Sequence, residues 1–135
     1  MILGRTIPVA KLGALGERRA AWFYRLRGYS VIGRNVRLRG GEIDLVVRRG
    51  RTLVFVEVKT RQSLTAGEGY EAVDRKKQLQ LVRLADQYLA KRPHRGEIRY
   101  DVVSLQWTGL RFAVRYFRDA FRPLGDPRQP WRWTI

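Results

Sequence analysis

The chain contains no cysteine and a single histidine among its 135 residues. The first absence removes disulfide frameworks, zinc-thiolate centres and thiol nucleophiles. The second removes any multi-histidine metal site. A Ser-His-Asp triad would have to use His94, which lies in a Lys-Arg-Pro-His-Arg-Gly stretch that reads as a solvated surface loop. Acidic residues are scarce too, with 12 Asp and Glu against 28 Lys and Arg and a formal net charge of +16. Long apolar runs are missing. Nothing approaches the ~18 apolar residues of a membrane span, and Arg5, Pro8 and Lys11 interrupt the first sixteen residues, which excludes a signal-peptide core. A cytoplasmic protein with no membrane partner is the expectation.

What is present is enough for one domain. A hydrophobic content of 44% in a chain of this length can bury a single core. The positive charge recurs along the whole chain, so the partner is expected to be a polyanion, nucleic acid first among them because phosphate neutralisation releases counterions.

Residue periodicity gives the order of elements. Gly16 to Arg27 reads as a helix closed by Gly28. Tyr29 to Arg39 reads as extended and ends at Gly40-Gly41. Two strands follow, Glu42 to Arg49 and Thr52 to Thr60, joined at Gly50-Arg51. After a loop at 62–70, Asp74 caps a long helix running to about Lys91, with Leu81, Leu84, Ala85 and Tyr88 on one face. Two more strands span Ile98 to Trp107 and Leu110 to Arg118. A long helix between strands makes a crossover, so the sheet is expected to be mixed. Residues 123–135, with Pro123, Trp131 and Trp133, form a separate tail, the tryptophans folding back, meeting a partner or stacking on unpaired bases.

The chemistry comes from the hairpin. A two-residue turn with Gly50 first suits a type II′ connection and pairs Arg49 with Thr52. Counting back puts Val46 opposite Phe55, Asp44 opposite Glu57 and Glu42 opposite Lys59. Opposed residues share a face, with Cβ atoms roughly 5 Å apart. Two carboxylates so placed repel, and a shared proton, a cation or a metal must neutralise them. Lys59 supplies one cation. Mg2+ or Mn2+ is the other candidate, because such ions bind one or two carboxylates and complete their shell with water and phosphate oxygens. Glu42 is expected to pair with Lys59, and Gln78 to lie on the surface of its helix. Glu17 shares a face with Ala20, Ala21 and Tyr24, while Trp22, Phe23 and Leu26 occupy the other side, so periodicity leaves its orientation open. It also reads as an ordinary glutamate of a helix N-terminus.

The run Gly41-Glu42-Ile43-Asp44-Leu45-Val46 followed by Val54-Phe55-Val56-Glu57-Val58-Lys59-Thr60-Arg61 resembles the YraN-like family of bacterial proteins. That family is similar to PD-(D/E)XK nucleases, Holliday junction resolvases among them. Gly16-Glu17, Gly28-Tyr29, Lys76-Lys77-Gln78, Tyr100-Asp101-Val102-Val103 and Asp119-Ala120-Phe121 match as well, and the resemblance covers residues 13–122. It implies an α/β, restriction-endonuclease-like fold with a central mixed sheet of about five strands flanked by helices. It implies a metal-dependent endonuclease acting on DNA in preference to RNA, on branched or single-stranded forms, with a homodimer as an expectation. Asp44 matches the superfamily's aspartate, Glu57 and Lys59 its (D/E)XK pair, and Glu17 the first-helix glutamate of resolvase-like members. Asp44, Glu57 and Glu17 would then hold the metal. Ile43 stands where the superfamily name has proline, at little chemical cost. Arg34, Arg37, Arg39, Arg61, Arg75, Lys76 and Lys77 are the expected contacts to the nucleic-acid backbone. A non-catalytic DNA- or RNA-binding module with a vestigial nuclease site is the alternative.

Overall fold

Pro8 starts the first helix. Its carbonyl accepts the N–H groups of Lys11 and Leu12, and its own missing N–H costs nothing at a helix start. In the computed structural model, which describes residues 6–62 and 74–123, helix α1 spans Val9–Arg25. It therefore begins earlier than the helix expected from Gly16, and Glu17 sits in its middle, not in its first turn. Glycine is a poor helix former, and Gly16 reads as a boundary for that reason. Packing overrides the propensity: Gly16 is buried, and a Cβ there would come within 2.6 Å of Thr60 Cγ2.

The strands are β1 (Ser30–Leu38), β2 (Gly41–Arg49), β3 (Thr52–Gln62), β4 (Glu97–Trp107) and β5 (Phe112–Phe117), and helix α2 (Arg75–Lys91) lies between β3 and β4. They form one sheet in the order β1-β2-β3-β4-β5. All neighbours are antiparallel except β3 and β4, which are parallel because α2 makes the crossover. This is the α/β fold with a mixed five-stranded sheet and two helices, consistent with a restriction-endonuclease-like fold. The Gly50 turn has φ +60°, and Arg51 keeps negative φ, so the connection is of the II′ and not the I′ kind. Asp74 caps α2 as its position suggests, accepting the Lys77 N–H at 2.9 Å.

The helices cover opposite faces. Ala20, Ala21, Phe23 and Tyr24 of α1 pack with Leu45, Val47, Val54, Val56, Val103 and Leu105. Leu81, Leu84, Ala85 and Tyr88 of α2 pack with Ile43, Val46, Phe55, Tyr100, Val102 and Phe121. Under α1 lies a buried polar network. The Asp101 carboxylate, fully buried, accepts hydrogen bonds from Tyr24 (2.8 Å), Tyr116 (2.9 Å), Arg99 Nε (2.8 Å) and the Asp119 backbone N–H (2.9 Å). Burial followed by the Asp101 charge pushes the Tyr24 and Tyr116 phenols well above their ordinary range, so both stay protonated donors. His94, expected in solvent, binds instead: its Nε2 lies 2.9 Å from the Arg51 carbonyl and ties the α2–β4 loop to the β2–β3 turn.

The loop expected at 62–70 and the tail, with Trp131 and Trp133, lie outside the described residues, apart from Gln62 and Pro123. Among the described residues no helix is long and apolar enough to cross a membrane.

Candidate active site

The alternation of β2 breaks at Asp44. Ile43 joins the α2-side core, whereas Leu45 joins the α1-side core, although two residues apart on a regular strand share a face. On β1 the same place is marked by Asn35, with φ 49°, between the pairs Val36↔Ile43 and Arg34↔Leu45. Asparagine tolerates that left-handed conformation better than most residues. The β2–β3 ladder holds Arg49↔Thr52, Val46↔Phe55 and Leu45↔Val56 as the turn dictates, and its pairing stops there. The expected Asp44–Glu57 pair thus falls one step past the end of the ladder. Asp44 Oδ2 takes the backbone N–H of Val58 at 2.8 Å instead.

The two carboxylates still share one cavity, of about 230 Å³, lined by Glu42, Asp44, Glu57, Lys77, Gln80, Leu81 and Leu84. One wall is the first three turns of α2, where Lys77, Gln80, Leu81 and Leu84 recur at helical spacing. Gly41 lets that helix approach, since a Cβ there would lie 2.9 Å from Gln80 Nε2. Two glutamine side chains fix the approach. Gln80 donates to the Gly40 carbonyl at 3.1 Å, and Gln87 bonds both backbone groups of Arg39, at 3.0 and 2.8 Å.

The electrostatics are unfavourable to two charges. Burial first, then the Glu57 charge and more weakly that of Glu17, push the Asp44 carboxyl up to about 7, against which the Val58 N–H and Lys77 pull down. The Glu57 carboxyl is raised too, chiefly by burial, with Lys77 and Lys59 opposing and Glu17 reinforcing the rise. Lys77 Nζ stands 4.0 Å from Glu57 Oε2. Lys59 and Glu17 are therefore close enough to act on the pair. Glu17 is brought there by the seating of Gly16 on Thr60, which draws α1 against β3. Among the described residues, however, no three His, Cys, Asp or Glu side chains converge as a metal cage. Any ion here would rest on two carboxylates and solvent.

Several sequence expectations change in detail. Glu42 pairs with Arg37 of β1, at 3.2 Å, and not with Lys59, because β1 lies beside it and β3 has already left the ladder. Gln78, expected on the surface, is fully buried, since the helix turns that residue toward the sheet with Leu81 and Ala85. Lys77, expected only as a backbone contact, lines the cavity. Its signal was its position one helical turn before the apolar residues that pack on the sheet. Arg34, Arg37 and Arg39 lie along the β1 edge, and Arg75 and Lys76 in the first turn of α2, all exposed, while Arg61 is half-buried on β3.

Comparison with known proteins agrees with these elements. Residues 16–105 match the model of the uncharacterised protein family UPF0102. A UPF0102 protein of Syntrophotalea carbinolica is 42% identical over 82% of this chain and 90% of its own length. One from Symbiobacterium thermophilum is 47% identical over 82% and 96%, and one from Beutenbergia cavernae 50% over 70% and 80%. The matched span contains α1 from Gly16, the hairpin with Asp44, Glu57 and Lys59, and α2 with Lys77. The chain belongs to the UPF0102 family, the YraN-like family.

Proposed function

We propose that this protein is a metal-dependent endonuclease that hydrolyses phosphodiester bonds in DNA, at branched or single-stranded sites. The observation that carries the reading is the cavity in which Asp44 and Glu57 are held together, partly buried, with charges that nothing among the described residues fully offsets. A divalent cation is the partner that such a pair lacks. The donor set fits Mg2+ or Mn2+: oxygen ligands only, from two carboxylates, with room for water and phosphate. Asp44 Oδ2 is committed to Val58, which leaves Oδ1 for the ion. When bound, the metal acidifies a water and neutralises charge on the phosphate.

The chain's own residues supply the rest. Lys59 orients the attacking water or stabilises negative charge as it develops. Lys77, beside Glu57 on the first turn of α2, would hold a non-bridging phosphate oxygen. Glu17 is a third carboxylate within electrostatic reach, suited to a water of the ion's shell. The arginines of the β1 edge and the cations opening α2 would position the backbone without reading sequence. A homodimer acting on two strands belongs to the same proposal.

A test is incubation of the protein with Mn2+ and labelled four-way junction, flap, single-strand and duplex DNA, alongside Asp44→Asn. Cleavage that vanishes in the variant is expected; equal cutting by both proteins, or by neither, refutes the reading. A second reading has its own support, since the Lys77–Glu57 contact and the lack of a three-ligand cage among the described residues suit a salt-bridged binding module. Mn2+ binding that depends on Asp44 separates the two.

A further inference from the structure

The outward face of α1 is unlike the rest of the surface. Leu26 is 74% exposed, Trp22 51% and Leu15 37%, and the three lie on one side of the helix. Exposed Lys11, Arg18 and Arg25 border them. No carboxylate of the described residues pairs with these cations. The one acid of the helix, Glu17, lies within electrostatic reach of Asp44 and Glu57 and makes no ion pair with these cations. The Arg25 guanidinium stands over the Trp22 ring, 5.3 Å from its centroid. Leaving an indole half in water forgoes burial that the core would have rewarded.

We infer that this face is a second nucleic-acid site, which holds an unpaired strand by stacking a base on Trp22 while Lys11, Arg18 and Arg25 take its phosphates. At this face charge selects a polyanion: the same face of a second copy would set Lys11, Arg18 and Arg25 against their like, with no carboxylate of the described residues between them. Among polyanions, the exposed indole selects bases that are free to stack. In a duplex the base faces are already covered by their neighbours; in a single strand they are not. From Lys11 to Leu26 the helix runs about 22 Å, room for several nucleotides.

The site is separate from the cavity. α1 covers one face of the sheet, and the wall of the cavity is α2, on the other. A strand on α1 therefore leaves Asp44 and Glu57 accessible, and a substrate with paired and unpaired parts can engage both. The inference rests on the nucleic-acid part of the proposed function and not on hydrolysis.

The test uses the full chain carrying Asp44→Asn, in chelator, so that cleavage plays no part. Anisotropy of labelled oligothymidylate and of a duplex of equal length is followed across a salt series. Trp22→Ala is expected to weaken oligothymidylate binding about 5- to 50-fold and duplex binding less than about twofold, with Trp22→Phe retaining most of the affinity. Arg25→Gln should lower the salt slope for the single strand by about 0.7. Trp22→Phe with an unchanged melting temperature serves as the folded comparator. If Trp22→Ala binds oligothymidylate as its parent does, or loses duplex equally, the platform is refuted while the nucleic-acid reading stands. If the parent binds neither DNA, both fall. Lack of cleavage in other experiments touches neither result.

Discussion

Asp44 and Val58 meet just past the last paired residues of β2 and β3, where the carboxylate takes the backbone N–H at 2.8 Å. That single bond does for the chain what the next ladder pair would have done. It satisfies an amide that would otherwise be orphaned and orients a carboxylate at the point where the strands part.

The Asp44 carboxyl holds its proton more tightly in the folded chain, at about 7, than at its ordinary value of 3.8. Its contribution to stability is therefore complete below pH 3.8 and is lost as pH rises through about 7. Without metal, Asp44→Asn should melt roughly 5 °C above the wild type at pH 8, because the amide oxygen still accepts the Val58 N–H and carries no charge. Added Mn2+ should raise the wild-type midpoint and leave that of the variant unchanged. Thermal melts at pH 5 and pH 8 decide it; a variant less stable than wild type at pH 8 contradicts the account.

Lys77 lowers the Glu57 proton affinity from across the cavity. Lys77→Met should reduce cleavage roughly 10²-fold and move the acid limb of the pH–rate profile to higher pH, as Glu57 becomes harder to ionise. A profile of unchanged position would make Lys77 a backbone contact only.

Gly16→Ala raises intrinsic helix propensity by ~1 kcal/mol, yet the added Cβ collides with Thr60. A net loss of about 1–2 kcal/mol is expected from overpacking, with cleavage falling further than stability because Glu17 moves with the helix. Thr60→Ala in the same chain should recover part of both. Urea denaturation of the two single variants and the double variant measures the coupling.

Asp101→Ala should cost about 3–5 kcal/mol, since it strands the buried Arg99 guanidinium, which is 4% exposed. Tyr24→Phe removes one of several donors and should cost about 1–2 kcal/mol. Equal losses in denaturation would mean that the network does not act around Asp101.

Much of this was legible in the residues. Gly50-Arg51 fixed the hairpin register because a two-residue turn admits one pairing, and Asp74 marked the start of α2 because a cap has a side-chain signature. The break at Asp44 was not legible, since period-2 alternation assumes an unbroken ladder and the next residues look like ordinary strand. Gly16 misled because its close approach to Thr60 is a tertiary fact. Gln78 and Lys77 were placed by the face that α2 turns to the sheet, which its polar first turn does not announce. Arg37 claimed Glu42 through the β1–β2 pairing, whose proximity the β2–β3 count leaves out.

The sheet is built in the order of the chain, and both carboxylates belong to its β2–β3 hairpin. A chain emerging N-terminus first therefore presents the whole β2–β3 segment before it has made α2. Until α2 packs, the cavity lacks the wall that Lys77, Gln80, Leu81 and Leu84 supply, and water screens Asp44 from Glu57. The later landing of α2 removes the water and introduces Lys77 in one movement. The antagonism between the carboxylates is thus absent from the nascent protein and arises with the helix that walls them in.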